Sequence, residues 1–255
     1  MTRWLFDLGN TRLKWACLEG REIVPMPALT HAEADFERRL ERAMTEAPRA
    51  HSALIASVAA PDLTARVAAL CHRHGIPTEY ARTLPECQGV RIAYADPDAL
   101  GIDRFLALLA ARHRSDGPWL LVSVGTALTI DLLAADGTHL GGLIAPAPDL
   151  MRLALAEHAD RLRVPPGQAR TWGRSTGDAI AGGVEAAALG MIERCYALAC
   201  DELDCQPTVL IAGGGAEALL PGLIVPYRPV ADLVLTGLAL YADRLTEAAA
   251  DTLPP

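Results

Sequence analysis

Apolar and polar positions alternate along the first residues of the chain. Leu5, Phe6 and Leu8 flank a lone acid, Asp7, and Leu13, Trp15 and Cys17 alternate with Arg12, Lys14 and Ala16. A period of two predicts two strands. Gly9-Asn10 lies between them, and both residues tolerate positive φ, which predicts a tight turn. Residues 22–27 read as a third strand. The period then changes. Phe36, Leu40, Ala43, Met44 and Ala47 share one helical face, which predicts a helix over 31–47 with Glu37 to Arg42 and Glu46 on its solvated side. A short apolar strand is expected at 52–58. A helix over 61–74 carries Leu63, Val67 and Leu70, with Gly75 at its C′ position, and a strand follows at 76–81. Strands alternating with helices imply a parallel component in the sheet. Residues 90–94 alternate like a strand, and Asp98 is a candidate N-cap for a helix from Leu100 to His113.

The opening pattern returns in the second half. Leu120-Leu121-Val122-Ser123-Val124-Gly125-Thr126-Ala127-Leu128 again reads strand, turn, strand. Ser123 falls where Asp7 fell, Gly125 where Gly9 fell and Ala127 where Thr11 fell, after a shift close to half the chain. A repeat of that length suggests a duplicated fold. Ser115-Asp116-Gly117-Pro118 is the clearest punctuation, so the expected domains are 1–117 and 118–255. Beyond the second turn, Gly141-Gly142 suggests a close backbone approach. Helices are expected over 148–160 and 178–203, a polar loop over 163–176, a buried strand at 208–212 ending in Gly213-Gly214-Gly215, and a last helix over 230–250. The tail from Asp251 is expected to fray.

Composition narrows the class. The chain has 255 residues, 51% of them hydrophobic, and a formal net charge of −8. That is long enough for two cores, and the negative charge argues against non-specific nucleic-acid binding. None of the six cysteines forms a C-x-x-C pair, so reduced thiols are favoured over zinc ligands; Cys71 with His72 and His74 reads as the polar end of a helix. No apolar run approaches the length of a membrane span, and no secretory signal pattern begins the chain. The expectation is a cytoplasmic protein without a membrane partner.

The first turn gathers a carboxylate, an amide, a hydroxyl and an ammonium: Asp7, Asn10, Thr11 and Lys14. Backbone N–H groups, Thr11 and Lys14 suit phosphate oxygens, and Asp7 suits a hydrated Mg²⁺. A solvated hairpin explains this stretch alone equally well; the second copy favours phosphate, because two such turns facing each other would grip a polyphosphate. The paired turns resemble the actin, Hsp70 and sugar-kinase superfamily. In Gly101-Ile102-Asp103-Arg104, an acid sits beside a base at a helix start. Alone, it reads as an ordinary helix-start acid. With two phosphate turns, Asp103 becomes a candidate general base for a hydroxyl attacking a γ-phosphate, and Arg104 a fork for a carboxylate or phosphate.

Asp7-Leu8-Gly9-Asn10-Thr11-Arg12-Leu13-Lys14, Tyr94 with Gly101-Ile102-Asp103-Arg104, Gly125-Thr126-Ala127, Gly141 to Pro146, Ser175-Thr176 and Gly213-Gly214-Gly215 together resemble the type III pantothenate kinases, in order and over nearly the whole length. The resemblance implies an α/β protein with a duplicated ribonuclease H-like (actin-like kinase) fold: two mixed sheets flanked by helices, with a central cleft. It implies a homodimer that phosphorylates pantothenate to 4′-phosphopantothenate with ATP and Mg²⁺, the first step toward coenzyme A. It implies ATP bound by Asp7, Leu8, Gly9, Asn10, Thr11, Arg12, Leu13, Lys14, Gly125 and Thr126, and pantothenate bound by Tyr94, Gly101, Ile102, Asp103, Arg104 and Thr176. Asp103 would take the proton. Family members commonly carry Asp where this chain has Ser123, so the K⁺ or NH₄⁺ requirement tied to that acid is left open. Two readings remain beside this one: another small-molecule kinase or phosphatase of the superfamily, and a non-catalytic regulatory member.

Overall fold

A computed structural model describes residues 2–114, 117–158 and 165–251. The chain divides into two units, one of Met1–Ser115 with Asp232–Pro255 and one of Asp116–Ala231.

The first unit is built on a five-stranded mixed sheet. β1 (Thr2–Leu8), β2 (Arg12–Glu19) and β3 (Glu22–Thr30) form an antiparallel meander. β4 (Ser52–Ser57) and β5 (Thr78–Tyr80) add in parallel on the other side of β1, giving the order β3-β2-β1-β4-β5. Pro25 and Pro27 fit β3 because it is an edge strand. The period of two sorts the sheet's faces. Trp4, Phe6 and Leu8 share a core with Leu13, Trp15 and Cys17, roofed by α1 (Phe36–Glu46) and α2 (Pro61–Arg73). In it Phe6 stacks on Trp15 at 5.5 Å and Trp4 meets both edge-on. Leu5 and Asp7 therefore point to the opposite face, which is covered by α3 (Ile102–Arg114) and α7 (Leu233–Asp251). β6 (Glu86–Cys87) and β7 (Val90–Arg91) form a two-stranded ribbon before α3.

The second unit repeats this plan. β8 (Trp119–Val124), β9 (Ala127–Leu133) and β10 (His139–Pro146) form the meander, and β11 (Thr208–Ala212) and β12 (Tyr227–Pro229) add in parallel. The order β10-β9-β8-β11-β12 matches the first sheet strand for strand. α4 (Pro148–His158), α5 (Thr176–Leu203) and the short α6 (Ala216–Leu219) complete it, with α5 packed on the core of Val122, Leu128, Ile130 and Ile211. The expected fold class is therefore present: α/β, duplicated, with two mixed sheets flanked by helices.

Several boundaries differ from the pattern-based expectation. The first helix begins at Phe36 rather than 31, because β3 runs to Thr30 and His31 is held on the first turn. Asp98 caps nothing. Asp96 instead accepts from the Asp98 N–H and opens a 3₁₀ turn at Pro97–Ala99, so α3 starts only after Gly101. α5 begins at Thr176 rather than 178, capped by Ser175, whose hydroxyl accepts from the Asp178 N–H at 3.1 Å. The end of the helix expected at 148–160, the start of the loop at 163, and Ser115-Asp116 lie outside the described residues. The sequence reading runs the second domain to 255, whereas contacts return the stretch from Asp232 to the first unit, where α7 packs along α3. Gly237 makes this possible, since any side-chain carbon there would overlap the Leu106 carbonyl. Among the described residues no helix is long and apolar enough to cross a membrane.

Candidate active site

The β1–β2 register places Asp7 directly opposite Lys14, and Leu8 opposite Leu13. Gly9 to Arg12 then form the connecting turn, closed by the Gly9 N–H donating to the Arg12 carbonyl at 3.0 Å. Asn10, Thr11 and Arg12 are exposed at its tip. Leu8 and Leu13 are fully buried, so these two can offer a ligand only their backbone. His31, which the sequence motifs leave out, braces the turn from just beyond the end of β3. Its Nε2 lies 3.1 Å from the Gly9 carbonyl, which can only accept, so the ring nitrogen donates. The His31 N–H also donates to the Thr11 carbonyl at 3.4 Å.

Asp103 sits in the first turn of α3, on the face of the sheet to which Asp7 points. Its Oδ1 accepts the Arg104 N–H at 2.9 Å. Gly101 leaves room for that carboxylate, because a Cβ there would come within 2.7 Å of Asp103 Oδ1. The approach to α3 is anchored by buried Thr83, whose hydroxyl donates to the Leu100 carbonyl at 2.8 Å. Arg104 is buried, with its guanidinium 5.8 Å from the Tyr94 ring centre and Nη1 donating to the Tyr94 hydroxyl at 3.2 Å. Ile102 is buried beside them.

Asp7 carries the electrostatic signature of this site. It is half-buried by surface exposure but walled by protein on nearly all sides. Burial pushes its pKa up from 3.8 to about 7; Lys14 pulls it down, and the negative charges of Asp103 and Asp232 push it up further. Asp7, Asp103, Lys14 and Asp232 thus form one interacting set within the first unit.

In the second unit, the Gly125 N–H donates to the Ala127 carbonyl at 2.9 Å, as Gly9 does to Arg12. Val124 pairs with Leu128, and Ser123 with Thr129. The second turn is therefore one residue shorter than the first. This corrects the alignment read from the motifs: Thr126, not Ala127, stands where Thr11 stands, and Thr129 occupies the place of Lys14. Ser123, Gly125 and Thr126 are exposed. Gly213 and Gly215 close on the same strand end. Gly213 has φ +100, a carbon on it would overlap the Val124 carbonyl, and the Gly215 N–H donates to that carbonyl at 3.0 Å. Thr176 is the exposed first residue of α5. The loop before it is tied to the helix, with the Gln168 N–H donating to Asp178 at 3.0 Å. Trp172, in that loop, is 86% exposed, while Trp4, Trp15 and Trp119 are core. The structure thus assembles Asp7 to Lys14, Tyr94 and Gly101 to Arg104 in one unit, and Gly125, Thr126 and Thr176 in the other.

Among the described residues no three His, Cys, Asp or Glu side chains converge as a metal cage. The acids around Asp7 fit instead a hydrated Mg²⁺ that brings its remaining oxygens from water and phosphate.

Known proteins share this architecture. The structure superposes on a Baf family transcriptional activator from Campylobacter jejuni with a TM-score of 0.59, 15% identity, and 95% and 99% of the two chains covered. It superposes on the activator of the 2-hydroxyisocaproyl-CoA dehydratase from Clostridium difficile, solved with ADPNP, with a TM-score of 0.56, 13% identity, and 100% and 99% covered. These show the actin-like ATPase and sugar-kinase fold. At the sequence level, the chain is 44% identical over 243 residues to a type III pantothenate kinase of Xylella fastidiosa strain 9a5c, covering 95% of this chain and 98% of the relative. The family model described as type III pantothenate kinase matches residues 4–198, and with the relative it shows that the chain belongs to the type III pantothenate kinase family.

Proposed function

We propose that Asp7, Lys14 and Asp103 of the first unit serve the family's reaction, ATP-dependent phosphorylation of pantothenate to 4′-phosphopantothenate. The observation that supports this reading is that Asp103, in the first turn of α3, acts on Asp7, which pairs with Lys14 across β1 and β2. The exposed turn from Gly9 to Arg12, with Lys14, presents N–H groups, a hydroxyl and an ammonium to the ATP phosphates. Gly125 and Thr126 offer the same kind of turn. Asp7 would hold a hydrated Mg²⁺, which when bound would supply charge neutralisation for the phosphate oxygens. Tyr94, Arg104 and Thr176 bind pantothenate, the Arg104 fork suiting its carboxylate. The primary hydroxyl attacks in line: its oxygen bonds to the γ-phosphorus, the bond to the β,γ-bridging oxygen breaks, ADP leaves, and the hydroxyl proton passes to Asp103.

Ser123 is a neutral hydroxyl beside a neutral Thr129, so no carboxylate there calls for a counter-ion, and little dependence on K⁺ or NH₄⁺ is expected. A homodimer is also proposed. Leu143 and Ile144 on the edge strand β10, with Leu153 and Leu155 on α4, leave large apolar side chains exposed, as interfaces do. The Gly- and Ala-rich start of α5 is proposed to lie close to the partner. Light scattering at assay concentration checks this, and an active monomer would refute it. The deciding experiment for the reaction follows ADP release with and without pantothenate and identifies the phosphorylated product. Turnover that ignores pantothenate but responds to another alcohol points to a different kinase of the superfamily. No turnover with any acceptor favours the regulatory reading, for which the Campylobacter jejuni protein supplies likeness of fold alone.

A further inference from the structure

Asp232 belongs to none of the motifs and to no step above. It is the residue immediately before α7, and its carbonyl accepts from both the N–H and the hydroxyl of Thr236 at 3.0 Å. An acid at such a position ordinarily turns its side chain inward to accept an N–H of the first turn. Here the side chain turns away. Among the described residues its hydrogen bond is with Lys14, whose Nζ lies 3.5 Å from Oδ1. The backbone at Asp232 is left-handed, with φ +51, a conformation that suits glycine better than any residue carrying a side chain. The chain keeps a carboxylate there nonetheless. Both partners are about two-fifths exposed, so the pair faces the solvent side of the turn rather than the core.

We propose that Asp232 is a positioning residue for Lys14, holding the ammonium beside the first turn so that nucleotide phosphate meets it already placed. A lysine stem has four rotatable bonds, and ordering it on binding opposes affinity. Asp232 limits that freedom from a base that is itself fixed. α7 is locked against α3 at Gly237, and α3 carries Asp103. This one helix pair therefore presents both the proton acceptor, in the first turn of α3, and the anchor for the phosphate-binding ammonium, just before α7. An ammonium carries three N–H donors, so one can stay on Asp232 while the others meet phosphate.

The inference rests on the assignment of Lys14 to nucleotide phosphate, and a double-mutant cycle separates the two. Lys14→Met, Asp232→Asn, Asp232→Glu and the Lys14→Met/Asp232→Asn pair are made in the full chain, with KM for Mg-ATP, kcat and melting temperature measured for each. Asparagine tolerates the left-handed backbone well, so Asp232→Asn removes the charge and leaves the fold. The expected result is a KM for ATP raised about 3- to 10-fold with kcat within about twofold, partial recovery in Asp232→Glu, and no further rise when Asp232→Asn is added to Lys14→Met. An unchanged KM in Asp232→Asn, or effects that multiply in the double variant, overturns the proposal. A lowered KM overturns it too, since Asp232 would then compete with phosphate. An unchanged KM in Lys14→Met overturns the reading of Lys14 itself, and the proposal with it.

Discussion

The two turns are built by the same strand order and the same closing bond, yet they carry different things. Beside the first stand a carboxylate, an ammonium and two further acids; beside the second, the neutral Ser123 faces the neutral Thr129 where Asp7 faces Lys14. The parallel neighbour differs as well. In the register, Ser57 of β4 takes the place that Gly213 takes after β11. Ser57 uses its hydroxyl locally, accepting from the Ala59 N–H at 3.2 Å, whereas Gly213 and Gly215 press backbone against backbone at Val124. One copy has been given charge and the other close backbone approach. Duplication thus lets the two copies specialise. Reactivity goes where burial makes charge consequential, and the other copy is left to contribute shape and hydrogen bonds.

The largest test of this division is Asp103→Asn. It is expected to lower kcat by about 10²–10⁴-fold with an unchanged melting temperature, while Ser123→Ala stays within about twofold. Comparable losses in steady-state kinetics would break the comparison. The second test concerns shape. Gly213→Ala meets both a positive φ and a backbone clash, so it is expected to destabilise by roughly 2–4 kcal/mol in denaturant titration. Ser57→Ala at the matching position should cost about 1 kcal/mol. Equal values would mean that close approach is not special to the second copy.

Third comes the pH dependence of the ligand-free protein. The Asp7 carboxyl keeps its proton in the folded chain up to about 7, while the unfolded chain loses it near 3.8. The folded state binds the extra proton between these values, so Asp7's contribution to stability is fully present below the lower value and is lost as pH rises through about 7. Asp7→Asn should flatten that slope, and changing Ser123 should not. Mg²⁺ requires the ionised carboxylate, so Mg-ATP affinity should rise over the same window in the native protein and not in Asp7→Asn. The smallest effect is expected from monovalent cations: replacing KCl or NH₄Cl with a bulky organic salt should change the initial rate by less than about twofold. Steep, saturable activation by K⁺ would show that the second turn holds charge after all.

Much of this was legible in the chain. The alternation at Trp4 to Cys17 and its recurrence after Leu120 reveal the strands, the duplication and the face to which Asp7 belongs, because a period of two is local information. The misreadings share another origin. Asp96 and Asp98, or Ser175 and Thr176, are chemically equivalent cap candidates, and only the path of the chain through Pro97 or into α5 selects between them. The one-residue difference between the turns shows only once Asp7 is paired with Lys14 and Ser123 with Thr129. His31, Thr83 and Asp232 carry no motif, since each acts through a partner distant in sequence. Gly237 could have been suspected from its place among apolar helix residues, but its neighbour Leu106 could not.

The placement of α7 also sets an order of events at the ribosome. The second unit is continuous in the chain, so it can close once Ala231 has emerged, whereas the first waits for α7, which is made after the whole second unit. Until then the α3 side of β1 lacks its cover, and Lys14 lacks Asp232. Synthesis thus delays assembly of the reactive half until after the second unit has been made, and it leaves that half's apolar sheet face as the natural site for chaperone attention.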